Sequence, residues 1–239
     1  MNLSISLLGF SDKKNFEDQI QHLQLNNINF VEGVYSKLNE FLPICKKYNF
    51  QIKSTQSLLY GSNIKDFTEN GFIDHLKSTI KFYKTFGIET LVLGSPKQRN
   101  IWNEAKLLSI FSQLNLICQQ ENVILCIEPN CKQYGGSYFY NLSQIVNFID
   151  KGKFSNIKTM IDTHNLLNEN LSPSKEFEMY HNYVSHIHIS ENNLNPIKYN
   201  DEYVLLSQKL KDLNYNGIVN YEVFPHQNLN IKLFSNLFL

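Results

Sequence analysis

Residues 123–128 read VILCIE, an apolar run that ends in a carboxylate. A short apolar run rich in aliphatic residues predicts a buried strand. Successive side chains of a strand point to opposite faces, so Cys126 and Glu128 share one face while Leu125 and Ile127 share the other. The stretch therefore predicts a strand that is buried on both faces and carries a charged group at its C-terminal end.

Seven other runs of similar character recur along the chain, and their starts are separated by roughly 20 to 40 residues, the length of a βα unit. The eight predicted strands are 2–8, 29–35, 51–59, 90–95, 123–130, 157–163, 184–190 and 217–225. The segments between them show helical periodicity, as in 102–121, where Leu107, Phe111 and Leu114 recur at three- and four-residue spacing. This alternation predicts an α/β fold, a single (β/α)8 barrel, that spans residues 1–239 as one domain.

The composition argues against several classes of protein. The 22 basic and 22 acidic residues balance, so no overall positive field favours nucleic acid or an anionic membrane. No stretch approaches the roughly 18 apolar residues of a membrane span, and the first apolar run lacks the preceding basic residues of a signal peptide. The four cysteines form no C-x-x-C pair or disulfide framework. We therefore expect a reduced, cytoplasmic protein that acts on a small molecule, as a monomer or as a homo-oligomer.

Acidic or imidazole side chains stand at the ends of four consecutive predicted strands. They are Glu128, Asp162, the pair His186 and His188, and Glu222. Consecutive strands are neighbours in a closed barrel, so these side chains should meet on one side of its C-terminal mouth, where barrel enzymes place their chemistry. Carboxylates with an imidazole and no thiolate suit one divalent metal, and Mn²⁺, Mg²⁺, Co²⁺, Zn²⁺ and Fe²⁺ all remain open. Carboxylates packed together also need a cation to stay ionised.

Each of these residues also has a structural interpretation. A carboxylate at a strand end often caps a helix or is a solvated charge, and a lone histidine in a strand usually packs. The coincidence of such residues at four consecutive strand ends is what favours a site. We assign His186 mainly to packing and to the orientation of its neighbours.

Six motifs occur in order along the chain: FVEGVYS at 30–36, GIETLVLGS at 87–95, IEPN at 127–130, MIDT at 160–163, HIHISEN at 186–192 and GIVNYE at 217–222. With these motifs the chain resembles the xylose isomerase-like TIM barrel superfamily, in particular the sugar phosphate isomerase/epimerase group that also contains AP endonuclease family 2-like, or endonuclease IV-like, proteins. The resemblance covers nearly the whole chain. Six motifs in this order are characteristic of the fold and metal site, and much less so of the substrate.

The resemblance implies that Glu128, Asp162, His188 and Glu222 are the ligands of the metal. It also implies catalytic roles for Glu128 and Glu222, which would remove and return a proton through a metal-stabilised enediolate. The expected activity is isomerisation or epimerisation of a sugar, a sugar phosphate or a related polyol. The sequence leaves open which sugar this is, whether it is phosphorylated and which metal is bound.

Two substrate contacts of epimerase-like relatives are not matched. Such relatives place a His three residues after the Asp of the sixth strand, where this chain has Asn165, with His164 one residue earlier. They also place an Arg shortly after the seventh strand, where this chain has Leu194. The ketohexose-epimerase activity is therefore less strongly implied than the fold.

Five residues are expected to bind substrate: Ser95, Arg99, His164, His186 and Glu32. Ser95 and Arg99 follow the fourth strand and could hold hydroxyl or phosphate oxygens. Glu32, on the second strand, either contacts substrate or pairs with a lysine in the barrel such as Lys53.

Three other functions compete with the isomerase. A lyase, an inosose or dehydroshikimate-type dehydratase, would use the same metal site and expel a β-hydroxyl. An endonuclease IV-like phosphodiesterase is disfavoured, because the residues at 34–36 and 56–58 contain none of the histidines that such enzymes use for further zinc ions. An inactive barrel is the last alternative, and the complete set of four ligands argues against it.

Overall fold

The computed structural model describes residues 1–60, 68–95, 103–136 and 138–239. Its eight strands are parallel and close into a barrel in sequence order. They are β1 (Asn2–Ser6), β2 (Ile28–Gly33), β3 (Gln51–Thr55), β4 (Thr90–Leu93), β5 (Ile124–Ile127), β6 (Ile157–Asp162), β7 (Val184–Ile189) and β8 (Ile218–Tyr221). The predicted (β/α)8 barrel is confirmed.

Helices follow the strands and pack outside them. They are α1 (Lys13–Leu25), α2 (Leu38–Lys47), α3 (Glu69–Lys84), α4 (Glu104–Glu121), α5 (Leu142–Gly152), α6 (Thr163–Asn168), α7 (Pro173–Tyr180), α8 (Asp201–Asp212) and α9 (Ile231–Phe238). Short polar side chains start many of them, because an oxygen that accepts from a first-turn N–H satisfies a donor without an intrahelical partner. Asn141 begins α5 in this way, with its Oδ1 accepting from Gln144 N at 2.9 Å. Within the described residues, no helix has the length and hydropathy that crossing a membrane requires.

The two faces of β5 separate as the alternation predicts. Cys126 packs against Val92 and Met160 in a small apolar cluster on neighbouring strands. Leu125 and Ile127 instead belong to the large core between strands and helices. The inner face of β5 therefore runs toward Glu128 at the mouth of the barrel.

All eight strands are shorter than predicted, by as much as five residues in β8, which spans Ile218–Tyr221 rather than 217–225. Two backbone bonds nevertheless continue the ladder to the carboxylates beyond β5 and β8. Glu128 N donates to Leu93 O at 3.2 Å, and Glu222 N donates to Ile189 O at 3.0 Å. Both glutamates are thus held by the sheet itself, which is the most rigid support the fold offers.

Candidate metal centre

Four side chains converge at the C-terminal mouth of the barrel: Glu128, Asp162, His188 and Glu222. All four are buried, and one possible ligand atom from each lies within 4.8 Å of the others. From Nδ1 of His188 the distances are 3.3 Å to Glu222 Oε2, 3.9 Å to Asp162 Oδ2 and 4.0 Å to Glu128 Oε1. The sequence prediction that these residues meet agrees with this geometry.

The two oxygens of Asp162 have different surroundings. Its Oδ1 accepts from Asn165 N at 2.8 Å, which caps α6, and from Ser190 Oγ at 3.0 Å. Its Oδ2 is the atom that approaches His188. Asp162 is therefore both a helix cap and a candidate ligand, so the two interpretations of a strand-end carboxylate hold together here.

Glu32 lies beneath the four residues and holds the imidazoles. Its Oε1 accepts from Nε2 of His188 at 2.9 Å and from Nε2 of His186 at 3.0 Å. Its Oε2 accepts from Asn220 Nδ2 at 3.0 Å, and Ser54 Oγ lies 3.4 Å from Oε1. A neutral imidazole that donates from Nε2 keeps a lone pair on Nδ1, so Glu32 selects the His188 tautomer that can bind a metal.

The donor set fits a divalent cation. Within the part of the chain that the structure describes, Nδ1 of His188 is buried without a hydrogen-bond partner. Buried polar atoms normally have a partner, and this one is surrounded by three carboxylates. Three carboxylate oxygens and one imidazole nitrogen are a common ligand set for a divalent metal ion.

The electrostatics of the metal-free site point the same way. Burial, together with the charges of Asp162 and Glu222, raises the pKa of Glu128 to about 8. Burial and the charge of Glu222 likewise raise the pKa of Asp162. Burial alone would lower the pKa of His188, but the carboxylates of Glu32 and Glu222 outweigh it and raise that pKa well above its usual value. The site therefore gathers more negative charge than it can hold without a cation.

The pKa of Glu32 is shifted in the opposite direction from those of Glu128 and Asp162. Its burial favours the neutral acid, but the charge and hydrogen bond of His188 and the hydrogen bond of His186 lower its pKa to about 2. Burial lowers the pKa of His186 in turn. Glu32 is thus an ionised acceptor that the surrounding donors stabilise.

Gly94 makes room for Glu128. A Cβ atom at this position would lie 1.8 Å from Glu128 Oε2 and 3.3 Å from Ser57 Cβ. Real atoms do not approach so closely, so any larger residue must move the carboxylate or the backbone. Ser57 Oγ also accepts a hydrogen bond from Gly94 N at 3.2 Å, which holds the backbone of Gly94 in place beside Glu128.

A cavity of about 410 Å³ opens above the four residues. This volume lies within the range of small-molecule sites, roughly 300–1,000 Å³. Glu128, Asp162 and Glu222 line it, as do Ser95 and His164, two of the predicted substrate contacts. Arg99, another predicted contact, lies outside the described residues.

Two other predicted substrate contacts do not line the cavity. Glu32 and His186 are fully buried in the barrel below it. The expectation that they touch substrate is corrected, because their polar atoms bond to one another and to neighbouring strands. Among the described residues, the partners of Glu32 are imidazoles, an amide and a hydroxyl rather than Lys53.

The loop after β5 is attached to α6 by a series of contacts that the sequence does not reveal. Asn165 Oδ1 accepts from Cys131 N at 3.0 Å, so the residue at the position of the expected His supports this loop. One residue earlier, His164 Nε2 lies 3.1 Å from the hydroxyl of Tyr134. That hydroxyl also donates to Asn192 Oδ1 at 3.2 Å. His164 therefore borders the cavity as part of a contact that joins α6 to the loops after β5 and β7.

Comparison with known proteins assigns the chain to a family. The family described as xylose isomerase-like TIM barrel matches residues 14–234, and the chain belongs to it. A search of curated protein sequences found no match.

Several solved structures are similar. D-psicose 3-epimerase from Clostridium cellulolyticum H10, solved with D-tagatose, is 15% identical with a TM-score of 0.73, covering 100% of this chain and 90% of that one. D-allulose 3-epimerase from Methylomonas sp. is 13% identical with a TM-score of 0.77, covering 100% and 95%. The AP endonuclease, family 2, from Brucella melitensis is 14% identical with a TM-score of 0.74, covering 97% and 96%. At these identities the likeness demonstrates a shared fold.

Substitution of Gly94 tests the position of Glu128. We expect Gly94→Ala to fold but to lose most of its affinity for Mn²⁺ or Co²⁺, because the added Cβ displaces the carboxylate. Titration calorimetry measures the affinity. Gly152→Ala is the control, since its Cβ would clash with the Phe154 ring at the end of α5, away from the site. Equal affinities in Gly94→Ala and the wild type would contradict the placement.

Substitution of Glu32 tests the orientation of His188. We expect Glu32→Ala to weaken metal binding about 10- to 100-fold, as is typical when the partner of a ligating histidine is removed. Glu32→Gln keeps an acceptor oxygen without the charge, so its affinity for the metal should lie between those of Glu32→Ala and the wild type. Calorimetry gives the affinity, and circular dichroism checks the fold. A folded Glu32→Ala with undiminished affinity would show that His188 needs no such support.

The raised pKa of Glu128 predicts how the stability of the metal-free protein depends on pH. Its folded pKa of about 8 exceeds the unfolded value near 4.5, so the folded state binds the proton more tightly. Stability should therefore fall as pH rises from about 5 to 8, and Glu128→Gln should reduce that fall. Thermal unfolding in a chelator measures both, with the exposed Glu40→Gln as control. Parallel curves for wild type and Glu128→Gln would refute the assignment.

Proposed function

We propose that this chain is a divalent-metal-dependent isomerase or epimerase of a sugar, a sugar phosphate or a related polyol. The observation that carries the proposal is the convergence of Glu128, Asp162, His188 and Glu222 beneath a small-molecule cavity, which the three carboxylates line. The names of similar structures, which include sugar 3-epimerases and a 3-keto-D-glucoside 4-epimerase from E. coli, support it.

The two glutamates are placed to act from different sides of a substrate. Glu128 follows β5 and Glu222 follows β8, so β6 and β7 lie between them. Gln56 Nε2 donates to Oε1 of Glu222, which leaves Oε2 on the side of His188. A carboxylate on each side can remove a proton from one face of a carbon and return it to another face or to the neighbouring carbon. This arrangement serves epimerisation and isomerisation alike.

The remaining residues bind and orient the same substrate. A divalent cation held by Glu128, Asp162, His188 and Glu222 would polarise a substrate carbonyl and acidify the adjacent C–H bond. Ser95 and His164 border the cavity and offer a hydroxyl and an imidazole to sugar oxygens. Glu128 and Glu222 are largely buried, which strengthens electrostatic interactions at their carboxylates.

Hydrogen exchange tests this function directly. In D₂O, protein loaded with Mn²⁺ should catalyse incorporation of deuterium next to the carbonyl of a ketose or aldose, followed by NMR. At saturating Mn²⁺, Glu128→Gln and Glu222→Gln should each reduce the rate on the order of 10²- to 10⁴-fold, because each removes a proton-transfer group. Glu40→Gln, an exposed substitution on α2, should not change it.

Two results would contradict the isomerase. Full exchange activity in a metal-loaded Glu222→Gln variant would remove the two-carboxylate mechanism. The growth of a conjugated carbonyl absorbance in place of an isomeric sugar would instead identify the dehydratase, since loss of a β-hydroxyl produces an enone.

A further inference from the structure

One sector of the cavity wall is apolar. Leu8 follows β1, Leu194 follows β7 and Phe224 follows β8, and all three line the cavity. Since β7, β8 and β1 are neighbours in the barrel, the three residues occupy adjoining positions. Phe224 N donates to Leu194 O at 2.9 Å, which joins two of these loops. We call these three residues the apolar wall.

The backbone at Leu194 is strained. Its φ is +50°, in the left-handed region that leucine rarely adopts and that asparagine tolerates much better. Two backbone bonds hold it there, from Leu194 N to Glu191 O and from Phe224 N to Leu194 O, both 2.9 Å. Strain of this kind is concentrated at functional positions. The backbone conformation at this position suits asparagine better than leucine. The presence of leucine here therefore indicates that the cavity requires an apolar side chain at residue 194.

The rest of the cavity wall is more polar. Ser57 and Ser95 follow β3 and β4, across the barrel from the apolar wall, and their hydroxyl oxygens lie 3.2 Å apart. His164 follows β6, next to β7, and adds an imidazole that contacts the hydroxyl of Tyr134. All four residues line the cavity. A sugar above the candidate metal ligands would thus meet hydrogen-bonding side chains as well as the apolar side chains of the wall.

The charges around the apolar wall disfavour a phosphate. Among the described residues that line the cavity, the formally charged ones are Glu128, Asp162, Glu191 and Glu222, with no Lys or Arg. Glu191 lies on the same loop as Leu194. A phosphate at the apolar wall would lose its hydration beside a carboxylate, which is unfavourable.

On the basis of the proposed function, we infer that the substrate is a deoxy sugar with a methyl-terminated end. Its carbonyl and neighbouring hydroxyl lie over the carboxylates, its other hydroxyls face Ser57, Ser95 and His164, and its methyl group packs on the apolar wall. A hydroxyl in place of that methyl group would pack against the side chains of Leu8, Leu194 and Phe224, which offer it no hydrogen bond to replace its hydration.

Three ketoses that differ only at carbon 6 test the inference: a 6-deoxyketohexose, the parent ketohexose and its 6-phosphate. Calorimetry on Mn²⁺-loaded protein should show the 6-deoxy sugar binding on the order of 10- to 100-fold more tightly than the parent, the discrimination that an apolar pocket achieves against one added hydroxyl. The phosphate should bind most weakly. Equal or tighter binding of the parent or the phosphate, or no binding of the 6-deoxy sugar, overturns the inference.

Deuterium exchange on the same sugars separates this inference from the proposed function. If the parent sugar exchanges deuterium and the 6-deoxy sugar binds no more tightly, the isomerase is supported and the inferred role of the apolar wall is overturned. The predicted order of affinities without exchange on any sugar supports the wall and rejects the isomerase.

A matched pair of variants links the preference to Leu194. Leu194→Asn should raise Tm by about 2 °C, because asparagine accepts the positive φ, and should reduce the preference for the 6-deoxy sugar to within about threefold. Lys153→Asn is the control, since Lys153 also has a positive φ of 52° but is exposed at the end of α5. It should raise Tm similarly and leave the preference unchanged. A Leu194→Asn protein that keeps the full preference refutes the role of the apolar wall.

Discussion

Glu32 accepts hydrogen bonds from two imidazoles through a single oxygen, and the direction of His188 depends on that pair of bonds. An ionised carboxylate without contact with water is costly unless donors surround it, and here three strands supply them. Because the donors come from β3, β7 and β8 and the acceptor from β2, the network also ties opposite sides of the barrel together. A buried polar network of this kind favours one arrangement of the interior, since any other leaves a charge unpaired.

The carboxylates above Glu32 differ from it, because they lie close to one another. Glu128 and Asp162 are brought against Glu222 although burial and the neighbouring negative charges disfavour the ionised forms of Glu128 and Asp162. They are held in place by the ladder bonds that the backbone N–H groups of Glu128 and Glu222 donate and by the cap that Asp162 forms on α6. The fold therefore tolerates local repulsion where a cation is expected, which is the usual conflict between stability and function at a site.

The features that depend on the periodicity of strands and helices were predictable from the sequence. The alternation in 123–128 correctly separated the inner face of β5 from its outer face, and the order of strand-end residues indicated which would meet. Strand lengths were overestimated because apolar residues continue past the last ladder bond into loops. The role of Glu32 was missed because its partner His186 lies 154 residues away, and only closure of the barrel brings them together. The close approach of Gly94 to Glu128 is likewise a property of packing that no local pattern records.

The distribution of these residues along the chain has a consequence for the order of assembly. All four candidate ligands lie after residue 127, whereas the carboxylate that orients His188 lies at residue 32. During synthesis the first four strands therefore leave the ribosome before any ligand does, and the last ligand, Glu222, arrives with the final strand. An oriented His188 exists only once β2 and β7 belong to one closed barrel. The complete set of candidate ligands, with His188 oriented, is therefore assembled only when β8 joins the barrel, and a truncated nascent chain does not offer it.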